Sequence, residues 1–427
     1  MKVKSYFLLL LFPSVLSANT TEPTIESNQL NADKAFTTRV WTADYLGQYR
    51  IPSLSETKHK ILLAFIEKRD RQGDQSGNDL ALKRSLDEGK TWGSEQLIYA
   101  QGNDSINNPT VVVADNNLIT IMFNVIPKGY SLFSNLPKGS TIIKVKVMYS
   151  SDNGASWTDP IDITDKVVAP DSYLVNVGPG NGVAIANGQF AGRVVMPSYA
   201  KYSPGRDISK TYALSIYNDR ISEFMVNPGQ NLTQQQALEL SEFWEIGNTN
   251  SRSLANEIAI TEYGFNGKLY YLARQYQDKS AGGTTYDSSF NGGFDWQARN
   301  KQMSTFPFRT QSGLAKFESA DALTNTYVMT TPVGPWRFSK GRTDGRIVAT
   351  KHNVFDNLSW VGSRYRIITD RFFSNSSATK IFSQYSPQRV GVLYEGNVSK
   401  TENKVDFINF SSIDLNYVRS GKSYRRP

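Results

Sequence analysis

Apolar positions along this chain gather in short strand-like runs that stop at turn residues. Such runs occupy residues 61–66, 117–123, 142–148, 193–197, 269–273 and 390–394. Their shortness and the turn residues that bound them predict strands. One stretch breaks the rule. Residues 232–244 (LTQQQALELSEFW) carry a helical spacing, and Asn231 is placed to cap it. With 12% aromatic residues, 31 glycines and 17 prolines, the composition fits an all-β chain with many tight turns.

An eight-residue pattern, S-x-D-x-G-x-x-W, punctuates the strands. It reads SLDEGKTW at 85–92, SSDNGASW at 150–157 and SFNGGFDW at 289–296, where Asn291 replaces Asp. A short acidic or amide side chain can bond nearby backbone amides, Gly supplies a left-handed residue, and Trp plugs the turn onto a core. The starts are separated by 65 and 139 residues, one step and about two. A further step leads to NVFDNLSW at 353–360, a worn copy with Asn357 for Gly; none is visible near residue 220. A 65-residue period exceeds the ~40–50 residues of common propeller and solenoid repeats and fits a four-stranded blade with generous loops. About six such units fill the chain after its leader, which predicts a six-bladed β-propeller. No linker or charge block divides residues 19–427, so a single domain is expected.

The first residues, MKVKSYFLLLLFPSVLSANT, pair Lys2 and Lys4 with a short apolar run and small residues up to Ala18. This predicts a signal peptide over 1–18 and a secreted or periplasmic protein. No later run is long enough to predict a membrane span. The formal charge of +8 falls by two when Lys2 and Lys4 are removed. That balance suits acidic ligands and a plain soluble surface equally. The basic tail from Arg419 to Arg426 is read as a solvated end, with no nucleic-acid partner. A monomer is expected.

Two histidines and no cysteine argue against a His-based triad, a thiol nucleophile and a zinc site. No metal or organic cofactor is expected. Carboxylates, tyrosines and arginines remain. They stand in an ordered series: QYRIPSL at 48–54, EKR at 67–69, GDQSGND at 73–79, NNPT at 107–110, VGPGNG at 177–182, NEIAI at 256–260, LYYLAR at 269–274, SQYS at 383–386 and VGVLYEG at 390–396.

This series, with the Asp boxes, resembles the bacterial exo-sialidase (neuraminidase) family from about Phe36 to Gly396. The resemblance implies a retaining exo-α-sialidase acting on sialylated glycans. It implies an arginine triad for the sugar carboxylate, mapped to Arg50, Arg274 and Arg342, with Arg337, Arg346 and Arg364 as competitors for the third place. Guanidinium forks suit carboxylates and stay charged at any working pH. Asp74 matches the family acid/base, with Asp70 and Asp79 as alternatives. Arg69, also at a family position, would help fix the first arginine's surroundings or the ligand. Tyr385 matches the nucleophile and Glu257 its partner. Sialidases are an exception to the carboxylate-pair rule of glycosidases. Three departures stand out: the altered boxes, a long interval from Trp360 to Tyr385, and a short step from SQYS to VGVLYEG. Two rivals remain. The same chemistry could transfer the sugar or form an anhydro product. A silent sialoglycan-binding propeller would lack Asp74, Glu257 or Tyr385.

Overall fold

The computed structural model describes residues 33–43, 48–71, 73–202, 209–225, 227–248, 255–263, 266–275, 284–297, 301–303, 310–319, 325–333, 342–350, 360, 363–382, 388–399 and 404–423. The signal-peptide reading and Tyr385 lie outside them, as do Arg337 and most of the worn box.

Strands dominate, and each predicted run overlaps one. They form antiparallel meanders. Gln48–Glu56, Leu62–Arg69, Asp79–Ser85 and Gln96–Tyr99 make one sheet. Ser105–Val113, Ile119–Ile126, Lys144–Ser150 and Ile161–Asp162 make the next, joined by Gly180–Asn181 running parallel to Ser105–Val113. Leu174–Val177, Arg193–Lys201, Ser209–Tyr217 and Glu245–Ile246 make a third. Ala255–Tyr263, Lys268–Gln275, Thr284–Ser289 and Lys301–Met303 make a fourth. The remaining strands form one long sheet whose middle member, Arg364–Ile381, runs for 18 residues. Its first half pairs with Thr343–Ala349 and its second with Arg389–Asn397, so it ends one meander and begins another. This single strand accounts for the long interval after Trp360.

Gln48–Glu56, Gly180–Asn181 and the long strand Arg364–Ile381 meet near the molecular centre, and small polar side chains knit them together. Ser53 donates to the Gly180 carbonyl at 2.6 Å, and the Leu54 amide to Ser377 Oγ at 3.0 Å. Ser377 reaches Asn181 Oδ1 at 2.6 Å, and Gln311 the Pro52 carbonyl at 2.7 Å. The meanders thus surround one axis, as in a β-propeller. Apolar residues fill the wedges between neighbours, as Leu54, Ile66, Phe372, Leu393 and Phe410 do between first and last. The N-terminal strand Ala35–Thr42 pairs with Phe407–Asp414 and closes the circuit.

Every complete box occupies the turn between third and fourth strands of its meander. In the first, Ser85 donates to Asp87 at 2.8 Å and accepts the Gly89 amide at 2.8 Å, while the Thr91 amide and hydroxyl bond Asp87 at 2.9 and 2.6 Å. Burial pushes the Asp87 carboxyl up, but bonds from Thr91 and Ser85 outweigh it and hold the group below its usual value. Ser150, Asp152, Gly154 and Ser156 repeat the arrangement. In the third copy Asn291 keeps the acceptor and turns its Nδ2 to Asp295 at 2.8 Å. The exchange follows from the partner: four residues on, the first two boxes carry a hydroxyl and the third a carboxylate. Gly89 and Gly154 need their left-handed φ of 89° and 75°. Each also presses on the preceding meander: a Cβ at Gly89 would lie 2.0 Å from the Phe410 ring.

In the third meander the corresponding turn is replaced by two helices, Asn218–Phe224 and Gln234–Glu242. The helix expected at 232–244 is present but shorter, and its cap is Thr233 rather than Asn231. Thr233 and Gln236 form a reciprocal capping box, whereas Asn231 accepts the Asp159 amide at 3.0 Å. The basic tail is not loose up to Ser423. Leu415–Arg419 is helical, Lys422–Ser423 pairs with Arg364 and Tyr365, and Arg366 donates to the Tyr417 carbonyl.

Candidate active site

Three inner strands break register near the same end of the axis. The ladder skips between Arg50 and Ser53, between Asn107 and Thr110, and between Asn256 and Ile258. At each break a non-glycine residue turns left-handed: Ile51 at φ 57°, Asn108 at 59° and Glu257 at 51°. Such backbone is costly for a β-branched residue and concentrates at functional sites. The bulges re-aim side chains that a regular strand would send elsewhere.

They border a cleft of about 340 Å³ lined by Arg50, Arg69, Asp74, Glu257, Arg274 and Arg342 among others. All six are sequence-predicted site residues, so one cavity gathers every one that the structure describes. Arg346 and Arg364 lie on paired strands and do not line it, nor do Asp70 and Asp79. A second cleft, of about 240 Å³, opens at the other end of the inner strands beside Glu56, Lys316 and Lys380, and among the described residues no arginine lines it.

Each of two arginines is braced by a carboxylate. Arg50 Nε donates to Glu395 Oε1 at 2.8 Å, and Glu395 is completely buried. The same oxygen accepts the Ile51 amide at 2.9 Å and Asn375 Nδ2 at 3.0 Å. Burial pushes the Glu395 carboxyl up, yet Arg50 and these donors hold it below its usual value. Arg274 Nη1 meets both oxygens of Glu257 at 2.8 Å. Burial lowers the Arg342 pKa, and the charges of Arg274 and Arg50 lower it further. Three guanidinium groups that feel one another in a cleft form a trap for an anion.

Asp74 sits at the mouth, with 63% of its side chain exposed. Arg69 Nη1 donates to its Oδ1 and to the Gly73 carbonyl, both at 3.0 Å. Arg69 is itself held from behind by Glu67, at 2.9 Å from Nε and 2.5 Å from Nη2. It therefore ties the loop of Asp74 to the strand that carries Glu67. Glu67 also takes the Asn108 amide at 2.7 Å, and Asn107 Nδ2 reaches the Asp74 carbonyl at 2.9 Å. Burial drives Glu67 above the usual carboxylate range despite Arg69. Burial also pushes Asp74 up, but Arg69, Arg50 and Arg342 prevail and hold it down.

A family model described as a BNR repeat-like domain matches residues 60–330, more than half of the chain. The exo-alpha-sialidase of Arthroderma benhamiae is 30% identical over 41% of this chain and 47% of its own length. The chain belongs to the BNR-repeat sialidase family. Sialidase-2 of Cricetulus griseus, another relative of this sialidase-family chain, is 28% identical over 37% of this chain and 44% of its own. The matched stretch thus spans under half the length of these curated relatives. Among solved structures, the Hadza microbial sialidase Hz136 superposes with a TM-score of 0.67 at 20% identity, covering 87% of this chain and 66% of that one.

Several residues of this sialidase-family cleft escape a reading by motif. Glu67 and Glu395 stood inside quoted segments, EKR and LYEG, without an assigned role. Asn107 and Asn108 stood in NNPT without an assigned role; Asn tolerates the left-handed region, but a following proline favours extended backbone instead. Asn176, Tyr199 and Asn375 carry no local signal.

Proposed function

We propose that this protein is a secreted exo-α-sialidase that removes terminal sialic acids from sialylated glycans by a retaining mechanism. The convergence of Arg50, Arg274 and Arg342 beside Asp74 and Glu257 carries the reading. The three arginines take the sugar carboxylate. Tyr385 attacks the anomeric carbon while its phenolic proton passes to Glu257. A neutral nucleophile avoids repulsion by the carboxylate on that carbon. Asp74 gives its proton to the departing glycosidic oxygen, and the glycosidic bond breaks. Water then attacks the sialyl-tyrosine, Asp74 takes the water proton, and Glu257 returns its proton to Tyr385. Arginine charge stabilises the anionic sugar through a transition state of oxocarbenium character. The scaffold is read as six blades, counting the long sheet as two, and the chain as an exported monomer.

The test is a proton NMR time course of the chain with sialyllactose. Release of the α-anomer before mutarotation is expected. Tyr385→Phe and Arg274→Ala are each expected to slow release at least ~100-fold. An unchanged spectrum at high protein concentration rejects the hydrolase reading.

A further inference from the structure

The cleft at the other end of the inner strands has no part in the chemistry above, and its charges are matched with one exception. It is built from well-separated parts of the chain, Glu56, Val112, Ala184, Ile260, Leu314 and Thr379 among them. Three lysines also line it, and each gives its ammonium to a carboxylate other than Glu56. Lys58 Nζ donates to Asp115 Oδ1 at 2.7 Å, Lys316 Nζ to Glu262 Oε2 at 3.1 Å and Lys380 Nζ to Glu318 Oε2 at 2.7 Å. Glu56 differs. Its Oε2 accepts the Phe382 amide at 2.8 Å, while its Oε1 is buried and has no hydrogen-bond partner. Burial pushes the Glu56 carboxyl up to about 7, with Glu88 adding to the rise and the Phe382 amide, Lys380 and Lys60 opposing it.

A buried carboxylate oxygen without a donor is costlier than a neutral one, because charge as well as a hydrogen bond goes unanswered. Its complement is a cation that brings its own N–H donors. A divalent metal ion asks for several oxygen ligands, whereas among the described residues Glu56 is the one carboxylate that lines the cleft. The walls limit what else the cation carries. Val112, Ile260 and Leu314 are apolar, and Phe382, 49% exposed, adds an aromatic edge with Lys380 Nζ already 4.1 Å from its ring centre. With about 240 Å³ against about 340 Å³ in the arginine cleft, the space suits a compact body.

We propose that this cleft is a second binding site, for a compact primary amine whose ammonium group pairs with Glu56 and whose carbon body lies against Leu314 and Phe382. The two clefts differ in place and in charge: the arginine cleft takes an anion and this one a cation. The proposal goes beyond the sialidase reading and does not depend on it.

The test is a ligand-observed proton NMR titration of the full chain with n-butylammonium at about pH 8, where the amine is protonated, beside butan-1-ol as its uncharged counterpart. Saturable binding of the ammonium is expected, with none of the alcohol over the same range. Glu56→Gln keeps an acceptor for the Phe382 amide and removes the charge, and is expected to weaken binding about ten-fold or more. Thr379→Trp, at a partly exposed position in the lining, fills the space and is expected to abolish binding, which keeps the test alive should the first variant misfold. The site is overturned if the ammonium shows no saturable binding, if the alcohol binds as tightly, or if binding survives in both variants. A chain that binds the ammonium through Glu56 yet leaves sialyllactose intact upholds this site and rejects only the sialidase reading.

Discussion

Glu67 and Arg69 are both buried, and their mutual charge is what makes either tolerable. Replacing Glu67 with Gln removes the buried countercharge and leaves the guanidinium the Gly73 carbonyl and the exposed Asp74 carboxylate. Breaking a buried pair in this way is expected to cost about 3 kcal/mol, read as a shift in the urea midpoint. The same cluster shapes the pH dependence. In the free protein Arg69, Arg50 and Arg342 hold the Asp74 proton loosely. A substrate carboxylate in the arginine clamp offsets part of that field, so Asp74 gains affinity for its proton. The alkaline limb of kcat, which reports the complex, is therefore expected at higher pH than that of kcat/KM, which reports the free enzyme. Coincident limbs would count against Asp74 as the acid. At this scale the sequence showed residue types and order. It did not show that Ile51 and Glu257 turn left-handed, because no local signal asks a β-branched or acidic residue to do so.

The box is the element whose physics is most completely written in eight letters. Its serine, acceptor, glycine and tryptophan each do what residue type alone suggests, and even the exception is readable from the fourth residue onward. Asn291→Asp restores the consensus yet sets a second carboxylate 2.8 Å from Asp295 Oδ2. It is expected to lower the thermal midpoint slightly at pH 7, with the loss disappearing once both groups are protonated. Two glycine replacements separate strain from collision. Gly129→Ala pays only for a φ of 89°, about 1–2 kcal/mol, since nothing lies within 4 Å of the new Cβ. Gly89→Ala carries the same φ and meets Phe410 as well, so its loss by thermal denaturation is expected to be clearly larger. The helices at 218–224 and 234–242 were legible only as a missing box and one amphipathic stretch. A seven-residue helix is too short to leave a period, and the capping residue moved because Thr233 has Gln236 in reach.

For the whole molecule, the repeat spacing revealed how many residues make a unit, but not how units share strands. Arg364–Ile381 serves two meanders, and Phe372, where its pairing changes hands, looks like any other strand residue. The junction of chain start and chain end was equally silent, since pairing between Ala35 and Ile413 leaves no periodic trace. Deleting residues 33–43 bares the edge of Phe407–Asp414, and the expected outcome is aggregation by light scattering together with loss of a cooperative melt. That seam also sets a timetable. The hydroxyls of Thr37 and Ser411 lie 2.7 Å apart across 374 residues of chain. At ~5–20 residues per second, the first strand waits roughly 20–75 seconds on the ribosome's schedule before its partner exists. Throughout that wait it is an unmatched edge in search of a neighbour, and a second nascent copy offers the same vacancy. Circular closure thus makes Ala35–Thr42, made long before its partner, late to settle and a strand that two chains could readily exchange.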